Sequence, residues 1–341
     1  MPSVRSGKIL VTGASGLIGA WIVEYLLDRN YDVLVAMRTQ SQLDFIQSRH
    51  PSNPHLSGMI VTDITAPGAF DVAVSEVDAV IHTASPARHT YDDLWEDIIN
   101  PAVNGVVGML SSAMKTGKNV KRIIFTSSAN TIQEEGQEVY DETMWGKKAT
   151  VALERDGDKT DGRIVYAASK VLSERAAWDF MEKEKPNFQL TTVLPSWNFG
   201  PYAHDVSKGV GSTPGIFLAI LSKGGDTSGK RFATSVDVRD VALVHILALE
   251  SDQCDGERIT ATSSEAFAWQ DVYDILHDAN LGIESSLPPK DATYGAGQSK
   301  SLFPRVSNAK SLRLLKGFKY RSLEESVVDM GRQMVKDGFL S

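Results

Sequence analysis

The sequence predicts an α/β protein with a doubly wound parallel sheet and a smaller C-terminal lobe. Three observations predict it. Short apolar runs alternate with helix-length amphipathic stretches through residue 201, the order that gives parallel strands joined by right-handed crossovers. A glycine-rich turn, Thr12-Gly13-Ala14-Ser15-Gly16-Leu17-Ile18-Gly19, stands between the first apolar run and the first helix. From residue 202 onward the alternation loosens into polar, glycine-rich stretches and separate helices.

Residues 8–11 read as a strand and residues 17–27 as a helix. Glycines between them let the backbone approach a pyrophosphate, and the helix start offers free N–H groups and a positive dipole end. Gly13, Ser15, Gly16, Leu17 and Ile18 are therefore expected to hold a dinucleotide. The spacing is G-x-x-G-x-x-G, not the commonest G-x-G-x-x-G, and three glycines alone also suit a plain tight turn. The next strand, 32–37, ends at Arg38 with no carboxylate. An acidic residue there would take the ribose 2′-hydroxyl of NAD, whereas an arginine accommodates the 2′-phosphate of NADP. Thr39 and Ser41 add hydroxyls, so the expected cofactor is NADP(H). An ordinary exposed arginine is the plainer reading.

Strand 58–61 leads to Asp63 and Ile64. Asp63 is placed either to accept from the adenine amino group or to cap the next turn. Strand 77–82 is followed by Thr83, Ala84 and Ser85, small enough for a cofactor to lie on the backbone, with His82 packed beneath. No histidine or carboxylate joins His82 at a metal-ligand spacing, so no metal site is expected. Residues 94–114 read as a long helix interrupted by Pro101 and Gly105. Strand 121–125 ends at Thr126-Ser127-Ser128. Ligands of such sheets bind at the carboxyl ends of the strands, so Ser128 shares a rim with Gly13, Arg38 and Ser85.

Residues 164–185 read as a helix on which Tyr166 and Lys170 share a face. Among nine tyrosines only Tyr166 has a lysine four residues on. A nearby ammonium is expected to lower the phenol pKa and make Tyr166 a proton donor or acceptor near neutral pH. A half-buried tyrosine beside a surface lysine is the plain alternative. Residues 133–162 are polar and charged and are expected to be a surface excursion, bordering a pocket or merely inserted. Strand 189–194 ends in Pro195-Ser196-Trp197-Asn198-Phe199-Gly200-Pro201, whose proline and glycine suit a turn against a flat ring. Trp197 and Phe199 are read equally as pocket walls or core. Beyond, residues 213–221, 237–249, 269–279 and 322–335 read as helices, 259–262 as a short strand and 211–217 as a flap.

Of 341 residues, 42% are hydrophobic and 23% charged, the composition of a soluble globular protein. The net charge of −8 and the lack of a basic run exclude a nucleic-acid partner. The one cysteine, Cys254, fits a reducing compartment. The start of the chain is too short and polar for a signal peptide, and apolar stretches such as 241–249 fall short of a membrane span. A cytoplasmic protein without membrane contact is expected.

Gly13-x-x-Gly16-x-x-Gly19, Thr126-Ser127-Ser128 and Tyr166-x-x-x-Lys170, in this order, resemble the short-chain dehydrogenase/reductase family, in its extended branch. Pro101-Ala102-Val103-Asn104-Gly105, Leu194-Pro195 followed by Gly200-Pro201, Val236-Asp237-Val238-Arg239-Asp240-Val241-Ala242 and Ser322-Leu323-Glu324-Glu325-Ser326 extend the match over nearly the whole chain. His82-Thr83-Ala84-Ser85-Pro86, Tyr140-Asp141-Glu142 with Trp145, and Arg38 resemble the NADPH-dependent carbonyl and aldehyde reductases of that branch, akin to dihydroflavonol and methylglyoxal reductases.

The resemblance implies a Rossmann-type domain over residues 1–201 and a substrate lobe over most of 202–341, with about 232–262 returning to the main domain. It implies hydride transfer from NADPH to an aldehyde or ketone. Tyr166 would be the proton donor, Lys170 would also bond the nicotinamide ribose, and Ser128 would orient the carbonyl oxygen. Pro195, Trp197 and Asn198 would lie beside the nicotinamide. Arg88, Asn130, Trp197 and Phe199 would flank a pocket suited to aromatic or bulky carbonyl compounds. One departure is Gln42, where relatives often carry a lysine near the arginine, which leaves Arg38 with less help on the 2′-phosphate. Two other readings stand: an NAD-dependent nucleotide-sugar epimerase or dehydratase, and a non-catalytic NADP(H)-sensing regulator. The chain is expected to be a monomer or a homodimer packed through helices 94–114 and 164–185.

Overall fold

The computed structural model describes residues 3–85, 91–134, 136–226, 231–232, 234–263, 266–290 and 305–341. Seven strands form the central sheet: β1 (Lys8–Thr12), β2 (Asp32–Met37), β3 (Leu56–Ile60), β4 (Ala79–His82), β5 (Arg122–Thr126), β6 (Gln189–Pro195) and β7 (Arg258–Ala261). Their order is β7-β6-β5-β4-β1-β2-β3, and every pairing is parallel. The winding reverses between β1 and β4, which lie side by side with Thr12 opposite His82. That reversal opens a crevice at their carboxyl ends, where a doubly wound sheet takes its ligand. Inner strands such as Ile9-Leu10-Val11 are buried on both faces, which is why they read as unbroken apolar runs.

Among the described residues eleven α-helices accompany the sheet: α1 (Leu17–Asp28), α2 (Gln40–Arg49), α3 (Asp71–Ser75), α4 (Asn100–Thr116), α5 (Lys148–Asp156), α6 (Gly162–Glu184), α7 (Ser212–Leu221), α8 (Val238–Leu249), α9 (Trp269–Asp278), α10 (Ala309–Leu314) and α11 (Leu323–Lys336). Successive residues of a strand face opposite ways. Ile9 and Val11 therefore pack with Ile22, Val23, Leu26, Val244 and Ile246 of α1 and α8. Leu10 and Val80 pack with Phe70, Val106, Leu110 and Ala177, beneath α3, α4 and α6. The lobe gathers α7, α9 and α11 around Phe199, Tyr202, Phe217, Phe267, Trp269 and Tyr273. Between α7 and α9 the chain returns to the main body, laying α8 against α1 and adding β7 beside β6. Arg122 fastens this return. Its buried guanidinium ion-pairs with Asp252 at 2.9 Å and Asp255 at 2.7 Å and bonds the carbonyls of Leu249 and Ser251. Among the described residues no helix is long and apolar enough to cross a membrane.

Three local expectations differ from the structure. Pro101 does not interrupt a helix. It sits in the first turn of α4, where its missing N–H costs no bond, after a π-helical turn at Trp95–Ile99. Residues 133–162 are not a bare excursion: they hold a strand at Val139–Tyr140 and then α5. Residues 211–217 form no free flap, since Phe217 is buried beside Trp269 and Tyr273.

Candidate active site

The cradle at the end of β1 is built from backbone. Thr12 holds the opposite rim in place: its carbonyl accepts from the Thr83 hydroxyl at 2.7 Å, and its Oγ1 accepts from the Ala84 N–H at 3.3 Å. The same Oγ1 lies 2.8 Å from Nδ1 of His82. His82 is buried edge-on to Phe70, and burial draws its pKa down to about 3, so it is a neutral packing group as expected. Gly13 has φ +70°, and a Cβ on it would stand 2.5 Å from Thr83 Oγ1 and 2.7 Å from Ala84 N. The Gly16 N–H donates to the Gly13 carbonyl at 2.9 Å. A Cβ on Gly19 would stand 2.2 Å from that same carbonyl oxygen.

Gly16 caps α1 with no side-chain hydrogen bond, so no side chain occupies the N–H groups that begin the helix. This is the arrangement a pyrophosphate needs. Beside it, a cleft is lined by Ser15, Met37, Gln42, Arg49 and His204. Leu17 is buried, and Ile18 is half-buried against the same packing. Arg38 follows β2 and is exposed. Gln42 folds back to accept from the Arg38 backbone N–H at 3.2 Å. Asp63 accepts from the Thr65 N–H and hydroxyl at 2.8 and 2.7 Å, and these bonds, with Arg38 nearby, hold its carboxyl below the ordinary range. It therefore caps a turn through one oxygen. Ile64 lies under α4, where a Cβ on Gly105 would stand 3.2 Å from its Cδ1. The bare cradle, the uncovered helix start and the cleft fit a dinucleotide.

Tyr166 and Lys170 stand on α6, which Asp161 caps by accepting from the Arg163 N–H. Lys170 Nζ lies 5.7 Å from the Tyr166 ring centroid. Tyr166 is half-buried and Lys170 is buried. Burial pushes the phenol up to about 12 and draws the ammonium down to about 8, the charge of Glu174 opposing the second shift. The expectation of a phenol lowered by its lysine is thus reversed, because burial is what shifts the phenol, and it shifts it up. Ser128 caps the short turn Ala129–Ile132, which packs on α6. Its Oγ accepts from the Asn130 N–H at 3.2 Å and keeps a proton to donate.

At the end of β6, Pro195 is buried and leads into a short strand, Trp197–Phe199, paired with Ser235–Asp237. Trp197 is half-buried, and its ring meets Phe267 and Trp269 edge-on. The Asn198 Oδ1 is a buried acceptor with no protein partner. Phe199 is not a pocket wall: it is 0% exposed, clasped edge-on by Phe267 and Trp269. Asn130 is half-buried and accepts from Gln133 at 3.3 Å. Arg88 lies outside the described residues, and Ser85 is half-buried at the rim.

Sequence reasoning missed a charged group beneath this face. Glu174, one helical turn past Lys170, is fully buried and meets Arg258 of β7 at 2.8 Å. Nothing local announces the pair, since 84 residues separate its members.

The fold and this rim define a nucleotide-dependent α/β enzyme class. Residues 9–260 match the NAD dependent epimerase/dehydratase family, and the chain belongs to that family. It is 33% identical to the ketoreductase azaE of Aspergillus niger, over 96% of this chain and 98% of that protein. It is 31% identical to the NADPH-dependent methylglyoxal reductase GRE2 of Saccharomyces cerevisiae, over 96% and 98%. The crystal structure of yeast methylglyoxal/isovaleraldehyde reductase Gre2 complexed with NADPH superposes with a TM-score of 0.87 at 30% identity, covering 98% of this chain and 100% of that one.

Proposed function

We propose that the chain is an NADPH-dependent reductase of aldehydes and ketones, running in reverse as an alcohol dehydrogenase. The observation that carries this reading is the Tyr166–Lys170 pair, half-buried phenol over buried ammonium, beside the turn capped by Ser128, on the rim that also bears the glycine cradle. Full-length similarity to NADPH-dependent reductases supports it.

When bound, NADPH supplies the hydride that reduces the carbonyl carbon. The cradle of Gly13, Ser15, Gly16, Leu17 and Ile18 would hold its pyrophosphate, and Arg38 the 2′-phosphate. Asp63, Ile64, Thr83, Ala84 and Ser85 would border the adenosine and the dinucleotide bridge, and Pro195, Trp197 and Asn198 the nicotinamide. Tyr166 gives its phenolic proton to the carbonyl oxygen. A phenol held up near 12 is fully protonated at neutral pH and ready for that role. Lys170, still largely charged at pH 7 with a pKa of about 8, stabilises the phenolate left behind. Ser128 donates to the same oxygen and orients it, as an oxyanion donor does. Trp197 and Asn130 border the substrate, and residues 202–341, apart from 232–262, form the lobe that selects it.

Arg38, with no carboxylate at the end of β2, and Thr126-Ser127-Ser128, where dehydratases resemble Thr-Asp-Glu, both favour a reductase over a sugar epimerase or dehydratase. The test is oxidation of NADPH and of NADH against aromatic aldehydes, β-keto esters and α-dicarbonyls. Turnover is expected with NADPH and at least one carbonyl class. Tyr166→Phe is expected to remove at least 99% of it while NADPH binding, followed by fluorescence, stays within about threefold. Normal turnover in that variant refutes the proton role.

A further inference from the structure

The floor under Lys170 is built from charge. The Glu174 carboxylate, 0% exposed, accepts from Ser127 of the β5 rim at 2.7 Å and from Thr192 of β6 at 2.8 Å. Arg258 of β7 reaches it through Nε at 2.8 Å and Nη2 at 3.2 Å. Burial works against this carboxylate, but the bonds and charge of Arg258, with Thr131 and Ser127, outweigh it and hold Glu174 ionised. Arg258 also donates to the carbonyls of Glu142 and Met144, each at 2.7 Å, and its guanidinium lies 3.7 Å from the Trp145 ring centroid. One buried ion pair thus joins the helix of Tyr166, three strands and the segment 142–145.

We propose that the Glu174–Arg258 pair is a positioning device that sets the charge state of Lys170. This rests on the reductase reading, in which Lys170 must be charged to support Tyr166. Glu174 follows Lys170 by four residues on the same face of α6, so its negative charge favours the ammonium. Arg258, across the carboxylate, holds it ionised and so keeps that field in place. Charged or titratable groups near Lys170 and the pair include Tyr166 and Arg175 on α6, His82 on β4, Glu142, and Tyr320, whose hydroxyl donates to the Thr260 carbonyl. His82 is neutral. Arg175 lies over the far side of the arrangement, 4.7 Å from the Trp145 centroid. The Glu142 carboxylate is taken up by the Thr260 N–H and hydroxyl. Glu174 is the anion that raises the Lys170 pKa against desolvation.

The test reads Lys170 directly in the cofactor-free protein, by the ¹³Cε NMR titration of labelled lysine assigned with Lys170→Met. Glu174→Gln keeps the shape and is expected to lower the Lys170 midpoint by about one pH unit. Arg258→Met removes the charge that holds Glu174 ionised, so the buried carboxyl takes up a proton and the Lys170 midpoint is expected to fall as in Glu174→Gln, whereas Arg258→Lys keeps the charge and is expected to leave it within about 0.3 pH units. The alkaline limb of kcat/KM should move with each. A structural role alone would shift neither midpoint, or would shift that of Arg258→Lys as far as that of Arg258→Met, and either result overturns the proposal. If Glu174→Gln does not fold, the Arg258 variants decide alone: a midpoint lowered in Arg258→Met and kept in Arg258→Lys supports the device, and an unchanged or raised one in Arg258→Met refutes it. Absence of carbonyl turnover in the wild type would refute the reductase reading without touching the titration.

Discussion

Alanine at Gly19 and at Gly16 should separate the two tasks of the glycine turn. A Cβ on Gly19 would stand 2.2 Å from the Gly13 carbonyl oxygen, 2.7 Å from its carbon and 2.9 Å from Ala14 Cα. All three are backbone atoms, so the turn itself must open by about 1 Å to restore ordinary contact. Forcing such a group into packed structure costs about 1–3 kcal/mol. At roughly 2–4 °C per kcal/mol for a large domain, Tm should fall by about 2–12 °C. Displacing the cradle should also weaken NADPH binding at least about tenfold, since ångström misplacements are costly. On Gly16 the new Cβ would meet the same oxygen at 3.3 Å, and the backbone there, with φ −98°, suits any residue. Gly16→Ala should therefore hold Tm within about 2 °C yet lose NADPH affinity, because the methyl stands where the pyrophosphate approaches. Differential scanning fluorimetry and NADPH fluorescence titration measure both. An unchanged Tm in Gly19→Ala would refute the claim that close helix–strand packing demands glycine there.

Arg38→Ala should raise KM for NADPH by about 10- to 100-fold, the loss of a charge-assisted phosphate contact, with little change for NADH; equal effects in steady-state assays would remove the 2′-phosphate role. Acid should destabilise the fold through His82 and His245, both buried and neutral, with pKa values drawn by burial to about 3 and about 4. Their unfolded values lie near 6.5, so the unfolded chain binds more protons, and stability is complete above about pH 6.5 and lost as pH falls toward 4. Two such groups cost roughly 4 kcal/mol between pH 7 and pH 5, and urea unfolding that is equally cooperative and equally stable at both pH values would exclude the effect.

The sheet was legible because inner strands such as β1, β2 and β4 are apolar on both faces and each is followed by a helix, and α6 because Val165, Ala168, Leu172, Ala176 and Phe180 recur at helical spacing. The site was legible where chemistry is local, as in the glycine turn or the Tyr166–Lys170 spacing. Three features were not. The helix α5 buries only Ala152 and Leu153, too little to impose a readable period on a polar segment. Trp197 and Phe199, two residues apart, share one face of a short strand, and how deeply each is buried depends on Phe267 and Trp269, some seventy residues on. The direction of the Tyr166 shift depends on desolvation, a property of the surrounding fold and not of the spacing.

The return of the chain to the sheet has a consequence for synthesis. β6 is complete at Pro195, yet its outer neighbour β7 begins only at Arg258, after α7 and α8 have been made. A nascent chain that has emerged only through the Rossmann half therefore presents β6 as an open edge of unpaired amides and carbonyls, the surface on which strands of separate molecules join. Arg122, already in place on β5, meanwhile lacks the Asp252 and Asp255 carboxylates that neutralise it. Closure of that edge waits on the ribosome delivering residue 261, and a fragment cut near residue 201 is expected to aggregate, which light scattering of the purified fragment would measure.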